Sequence, residues 1–278
     1  MRFQILGKSR LTLPWIPTIF SFLLLLQPIG LGAEPGWRTL GEGLEMQIVK
    51  PRGEKTNPPL TVTLLRISPR YYDLKVIHAL DFGQQASTVR PLAEASGAVG
   101  AINGGFFYPD LRPLGLVIAR GKPRFPLKKR AHPLYEGIFL TKDGKSHIIG
   151  LGEVGLKGPQ EAIQSGPLLV RGGQLAPGID STNQARHARS AIGIDRKQNI
   201  ILIASGGGED AFTLAELAHF LLPSGRDSWG CEDALNLDGG NSTQLYLQAK
   251  GGTIDIKGIS QIPVALGIFR KTDPEISR

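Results

Sequence analysis

The chain has a single cysteine, Cys231, among 278 residues. One thiol excludes an internal disulfide framework and a cysteine-rich zinc site. No histidine lies near it in sequence, so Cys231 reads as a small buried apolar side chain. Gly-x-Ser-x-Gly, Gly-x-x-x-x-Gly-Lys-Ser/Thr and His-Glu-x-x-His are all missing, which removes three common catalytic frameworks. The five histidines (His78, His132, His147, His187 and His219) have no tight ligand spacing. They read as surface or local hydrogen-bonding groups, and no metal and no cofactor are expected. Internal repeats are absent too.

No acidic residue precedes Glu34, while Arg2, Lys8 and Arg10 make the start positive. An uncharged run follows from Ile16 to Leu26, then Gly30, Gly32 and Ala33. This is the order of a secretory signal peptide. Its apolar core is shorter than the ~20 residues of a comfortable membrane span. Residues 1–33 are therefore expected to direct export to the periplasm or outside, with an uncleaved membrane anchor as the alternative. Cleavage would reduce the formal charge from +8 to +5, which weakens a nucleic-acid reading.

Glycine (36) and proline (20) are abundant without a triplet repeat, as in a fold of short strands and tight turns. Residues 34–59 are polar and turn-rich and read as a lead-in to a single domain at 60–272. Strand-like runs occur at 60–67, 74–80, 98–102, 114–119, 138–140, 168–170, 191–194, 200–204, 243–247 and 264–269. A short helix is expected near 87–96, capped by Ser87 or Thr88. The clearest helix runs from Thr213 to Leu222, with Leu214, Leu217, Ala218 and Leu221 on one face and a Thr213/Glu216 capping box. Strands outnumber helices and do not alternate with them. The expected class is α+β, with a largely antiparallel or mixed sheet and few helices.

Four glycine-flanked polar segments follow apolar runs or lead into them. In Ala101-Ile102-Asn103-Gly104-Gly105-Phe106-Phe107, Asn103 ends a strand and suits a sugar hydroxyl or an oxyanion. An Asn-Gly hairpin turn explains the same residues. Gln164-Ser165-Gly166-Pro167 is explained by turn chemistry. Arg186-His187-Ala188-Arg189-Ser190 places a guanidinium at a strand start, where it can clamp a phosphate or carboxylate, or simply be solvated. In Ala234-Leu235-Asn236-Leu237-Asp238-Gly239-Gly240-Asn241-Ser242-Thr243, alternation puts Asn236 and Asp238 on one face. The two glycines can form an anion-binding nest, or the whole can be an Asp-Gly hairpin.

Taken in order, Asn-Gly-Gly-Phe-Phe (103–107), Pro-Leu-Gly-Leu-Val (113–117), Gly-Pro-Leu-Leu-Val (166–170), Arg-Ser-Ala-Ile-Gly-Ile-Asp (189–195), Thr-Leu-Ala-Glu-Leu-Ala (213–218) and Gly-Cys-Glu-Asp-Ala-Leu-Asn-Leu-Asp-Gly-Gly-Asn-Ser (230–242) resemble the phosphodiester glycosidase family. The resemblance spans about residues 60 to 270. It departs at Asn241, where another small residue is expected, and at Ala211-Phe212, where glycine is usual. It implies hydrolysis of a sugar 1-phosphodiester, or of a phosphate-bearing glycan, with release of the free sugar. On that reading Arg189 clamps the phosphate, while Gly239, Gly240 and Ser242 add donors. Asp238 acts as base or nucleophile, and Asn103 binds sugar or orients water. Glu209 is a second carboxylate, and Gly104, Gly105 and Thr243 complete the substrate site. Two rivals are a non-catalytic glycan-binding domain and a phosphodiesterase that cuts the P–O bond. Lys122, Arg124, Lys128, Lys129 and Arg130, with Phe125 and His132, are either a solvated loop or a rim for an anionic polymer.

Overall fold

The computed structural model describes residues 36–50, 61–153, 158–179, 185–206, 212–223 and 230–272. The segment 1–33 therefore lies outside the described residues. Three antiparallel sheets organise the rest. The largest has eight strands in the order β1 (Arg38–Gly41), β2 (Leu44–Val49), β3 (Thr61–Ile67), β14 (Ile200–Gly206), β13 (Ser190–Asp195), β15 (Cys231–Asn236), β11 (Leu168–Arg171) and β12 (Gln174–Leu175). A five-stranded sheet runs β17 (Gly252–Ile256), β16 (Leu245–Ala249), β5 (Gly100–Asn103), β18 (Val264–Arg270), β4 (Tyr72–His78). The other runs β7 (Lys122–Phe125), β6 (Val117–Ala119), β10 (Glu161–Ser165), β8 (Gly137–Lys142), β9 (Lys145–Gly150). The class is α+β and mostly β, and the described residues fall in one compact unit.

Burial follows from the apolar runs. In β3, Leu65 and Ile67 enter a central core, while Val62 and Leu64 face the opposite side under a helix. A strand covered on both faces carries apolar residues on each of them, and β3 does so with Val62, Leu64, Leu65 and Ile67, while Thr61, Thr63 and Arg66 are polar. The central core draws on all three sheets, with Leu202 and Leu235 from the first, Ile102 and Leu266 from the second, and Phe139 and Ile163 from the third. Helix α2 (Leu214–Leu221) sets Leu217, Ala218 and Leu221 against the outer face of the large sheet. Both halves of its capping box form: Glu216 N–H donates to Thr213 Oγ1 at 3.1 Å, and Thr213 N–H donates to Glu216 at 2.9 Å. Helix α1 (Val89–Ser96) packs on the second sheet through Val89, Leu92 and Ala93. Thr88 is its cap residue by backbone, but the Val89 N–H is satisfied by the Gln244 side chain at 2.9 Å.

Two expectations change here. The stretch read as a lead-in supplies the hairpin β1–β2, which extends the large sheet past β3 and buries Leu44 and Met46. The first half of the basic stretch is a strand, not a loop: β7 pairs with β6 at a sheet edge. Edge strands tolerate proline and charge, so Lys-Pro-Arg-Phe hid its conformation. Cys231 is buried in the core as expected, and burial pushes its thiol pKa up. No helix among the described residues is long and apolar enough to cross a membrane.

Candidate active site

Strands β5, β13 and β15 bring three distant segments together. Leu237 N–H donates to Ser190 O at 2.9 Å, and Asp238 N–H donates to Gly104 O at 3.1 Å. These bonds seat the Asp238 turn between Asn103-Gly104 and Arg189-Ser190. A β-carbon on Gly239 would stand 2.8 Å from Ala188 O and 3.8 Å from Arg189 Cδ, so the turn also lies against the Arg189 side chain.

Asp238 is half-buried. Burial raises its carboxyl pKa to about 6, against opposing hydrogen bonds from the Ser242 hydroxyl and the Gly239 N–H. The Gly239 N–H lies 2.9 Å from Oδ1. A carboxyl poised near neutrality is what a general base needs.

Arg189 is 6% exposed. Its Nε donates to Phe212 O at 3.0 Å and its Nη2 to Ala185 O at 2.7 Å. Both partners are neutral carbonyls, and no carboxylate pairs with it among the described residues. Burial lowers its pKa. A guanidinium desolvated without a counter-charge favours an incoming anion. Arg189 lines a cavity of about 1010 Å³ whose walls include Phe106, His132, Glu136, Gly166, Leu168 and Asn236.

Asn236 was not singled out from the sequence. It is 3% exposed; its Nδ2 donates to Gly166 O at 2.8 Å, and its buried Oδ1 has no partner among the described residues. An orphaned buried acceptor on a cavity wall marks a place for a ligand hydroxyl or N–H. The alternation that put Asn236 on the Asp238 face was the available signal. Glu136 also lines the cavity, with one carboxylate oxygen accepting the Leu168 N–H at 3.2 Å; nothing in the sequence pointed to it. A second cavity of about 490 Å³ lies against Gly240, Asn241 and Thr243, with Arg186, His187 and Lys257 on its walls. Thr243 Oγ1 is buried there without a partner among the described residues.

The other residues singled out from the sequence are placed as follows. Asn103 has no exposed surface, and both ends of its amide are used inside the protein. Its Nδ2 donates to Asp238 O at 2.7 Å, and its Oδ1 accepts from Ser190 Oγ at 2.6 Å and Gln244 N–H at 3.1 Å. It holds the turn in place. The expected nest is closed, because Gly240 N–H donates to Ala188 O, Ser242 N–H to Gly239 O and Thr243 N–H to Gly240 O. Those amides have protein acceptors already, so Gly239 and Gly240 shape the turn, and Ser242 serves the Asp238 carboxyl. Neither Gly104 nor Gly105 has positive φ, so Asn-Gly-Gly is no hairpin turn. A β-carbon on Gly104 would lie 2.7 Å from Val264 O, and one on Gly105 2.6 Å from Gln164 O. Close approach of other strands is the reason for both glycines. Glu209 lies outside the described residues.

Residues 96–269 match the phosphodiester glycosidase family, and the chain belongs to that family. The uncharacterized YigE protein of Escherichia coli K12 is 26% identical over 212 residues, covering 72% of this chain and 78% of that protein. Among solved structures, the zebrafish N-acetylglucosamine-1-phosphodiester α-N-acetylglucosaminidase catalytic domain, auto-inhibited by its pro-peptide, superposes with a TM-score of 0.64. It is 18% identical, with 84% of this chain and 86% of that one covered. A hypothetical protein from Synechocystis gives a TM-score of 0.60 at 20% identity, covering 82% of this chain and 62% of that one. At these identities the structural likenesses show the fold.

Proposed function

We propose that this chain hydrolyses the C1–O bond of a glycosyl 1-phosphodiester in an exported glycan or glycoconjugate. The observation that carries the reading is the buried Arg189, without a carboxylate partner among the described residues, on a large cavity and against the Asp238 turn. Breaking the C1–O bond develops positive charge on the sugar and releases a phosphate monoester. That leaving group is a weak base, so a strong general acid matters less than in ordinary glycoside hydrolysis. Arg189 stabilises the departing phosphate. Asp238, ionised above about pH 6, takes a proton from the water whose oxygen bonds to C1. The products are a free sugar and a phosphate monoester, with the proton returned to solvent. Asn236 Oδ1 accepts a hydrogen bond from a hydroxyl or amide of the bound substrate. Family membership and the fold shared with the zebrafish enzyme support a sugar of the N-acetylglucosamine type as the first to test.

The test is turnover of a panel of synthetic sugar 1-phosphodiesters in oxygen-18 water. Label in the released sugar supports the reading. Label in the phosphate supports P–O cleavage, and no turnover across the panel supports a glycan-binding role. Export rests on the charge order of residues 1–33, and sequencing the mature N-terminus of the protein from its native host checks it.

A further inference from the structure

We propose that residues 120–132 form a docking surface for a polyanionic glycan, a chain of sugars joined by phosphodiesters, at the edge of the Arg189 cavity. The proposal rests on the glycosidase reading and names the substrate class as polymeric. The stretch carries Arg120, Lys122, Arg124, Lys128, Lys129 and Arg130 and no acid. The stretch meets two carboxylates: Asp81, which accepts from Arg120 Nη2 at 2.6 Å and Arg124 Nη2 at 2.8 Å, and the buried Glu161, which accepts from the Arg120 N–H at 3.1 Å. Two carboxylates against six cations leave net positive charge. Lys122, Lys129 and Arg130 are exposed and have no carboxylate partner among the described residues. Of the neighbouring acids, Asp110 is paired with Arg112 and Glu153 with Arg171, whereas Glu136 accepts only the Leu168 N–H and keeps its charge.

The surface is held in place by the fold. Gln164, 3% exposed, accepts from the Lys128 N–H at 3.0 Å and donates to Lys128 O and Tyr135 O, each at 2.8 Å. A single buried amide thus pins the loop on both sides of Lys129 and Arg130. Three consecutive Cα atoms span less than about 8 Å, so the fields of residues 128–130 overlap within a Debye length. The chain then runs directly into Ala131, His132, Pro133 and Leu134, which line the cavity. A single phosphate at Arg189 leaves these external cations unused, whereas further phosphates along the same polymer match them. Nucleic acid fits less well. Phe125 stacks on His78 at 5.6 Å, and Tyr108 already carries Arg112 and Lys128 over its ring at 5.7 and 5.9 Å. Neither offers a free platform for a base.

The experiment compares wild type with Lys128→Ala/Lys129→Ala/Arg130→Ala, which leaves the backbone bonds to Gln164 in place. Two substrates are used: a synthetic oligomer of N-acetylglucosamine units joined by phosphodiesters, and a single sugar 1-phosphodiester. The expected result is about a tenfold rise in KM for the oligomer at low salt, converging with wild type at high salt. The single diester should change less than about twofold. An equal rise on both substrates, or no rise on the oligomer, overturns the proposal. Binding of fluorescently labelled oligomer, read by anisotropy, separates the two readings if neither substrate turns over. Binding lost in the variant then supports the docking surface while the glycosidase reading fails. Binding that is absent in wild type, or retained in the variant, overturns it. So does tighter binding of a labelled single-stranded DNA than of the oligomer, with the same dependence on residues 128–130.

Discussion

The amide of Asn103 donates to the backbone carbonyl of Asp238 at 2.7 Å, across 135 positions of sequence. The same side chain accepts from Ser190 and from the Gln244 backbone. It joins three strands behind the turn. Asn103→Ala leaves these partners buried and unsatisfied, at an expected cost of about 3 kcal/mol. Denaturant unfolding measures the stability loss. A pH–rate profile is the sharper readout: the Asp238 limb should move in the variant, which simple destabilisation does not require.

Asp238 should also control stability in an unusual direction. Its folded pKa, raised to about 6 from 3.8 by burial, means the native state holds the proton more tightly than the unfolded chain. The sign follows: native stability falls as pH rises from about 4 to about 6, then levels off. Asp238→Asn removes this penalty and should stabilise the protein at pH 7 by up to about 2 kcal/mol, with no gain near pH 4. It should also abolish the acid limb of kcat/KM near pH 6 together with most turnover. Tm measured across pH, alongside activity, checks both halves. A stability gain of the same size at pH 4 and pH 7 contradicts the assignment.

Arg189 presents a buried charge with carbonyl partners. Arg189→Met should lower kcat/KM by about a hundredfold or more, as removal of a preorganised charge stabiliser does. The fold should survive, since an uncompensated buried charge is removed as well. Arg189→Lys keeps the charge without the planar fork and should recover only part of the activity. Steady-state kinetics with circular dichroism decides it. Full activity in Arg189→Met removes the phosphate role.

Asn236→Ala takes away the orphaned acceptor on the cavity wall. KM should rise about tenfold, the scale of one substrate hydrogen bond. Substrate analogues lacking single hydroxyls then identify the partner, because the right analogue should bind wild type and variant alike. If every analogue distinguishes them equally, the oxygen serves the fold instead.

Two glycines near the site should behave differently. Gly105→Ala drives a β-carbon to 2.6 Å from Gln164 O, against backbone that cannot swing away. Gly240 has φ +59 and open space around its missing β-carbon, so Gly240→Ala carries only the left-handed strain of about 1 kcal/mol. Thermal unfolding should rank Gly105→Ala well below Gly240→Ala.

Much of the molecule was legible from sequence because local rules acted alone. The Thr213/Glu216 box specified helix α2, and the runs at 60–67 and 200–204 marked strands, while the cover on both faces of β3 came from the assembled layers. Alternation placed Asn236 beside Asp238. The ordered glycine-flanked segments pointed to the family. Tertiary structure decided what each polar group in those segments does. Asn103 and Gly240 have the chemistry to bind substrate, but the Asn103 side chain bonds to Asp238, Ser190 and Gln244 and the Gly240 N–H to Ala188 O, tens to more than a hundred positions away, which no local pattern records. Gly104 and Gly105 resembled turn glycines, yet the backbones of Val264 and Gln164 make them necessary. Arg189 reads from its own segment as either an anion clamp or a solvated charge, and the fold buries it against neutral carbonyls. Local sequence sets propensity and pattern over a few residues. Burial and hydrogen-bond satisfaction depend on which strands become neighbours, and only the assembled sheets settle that.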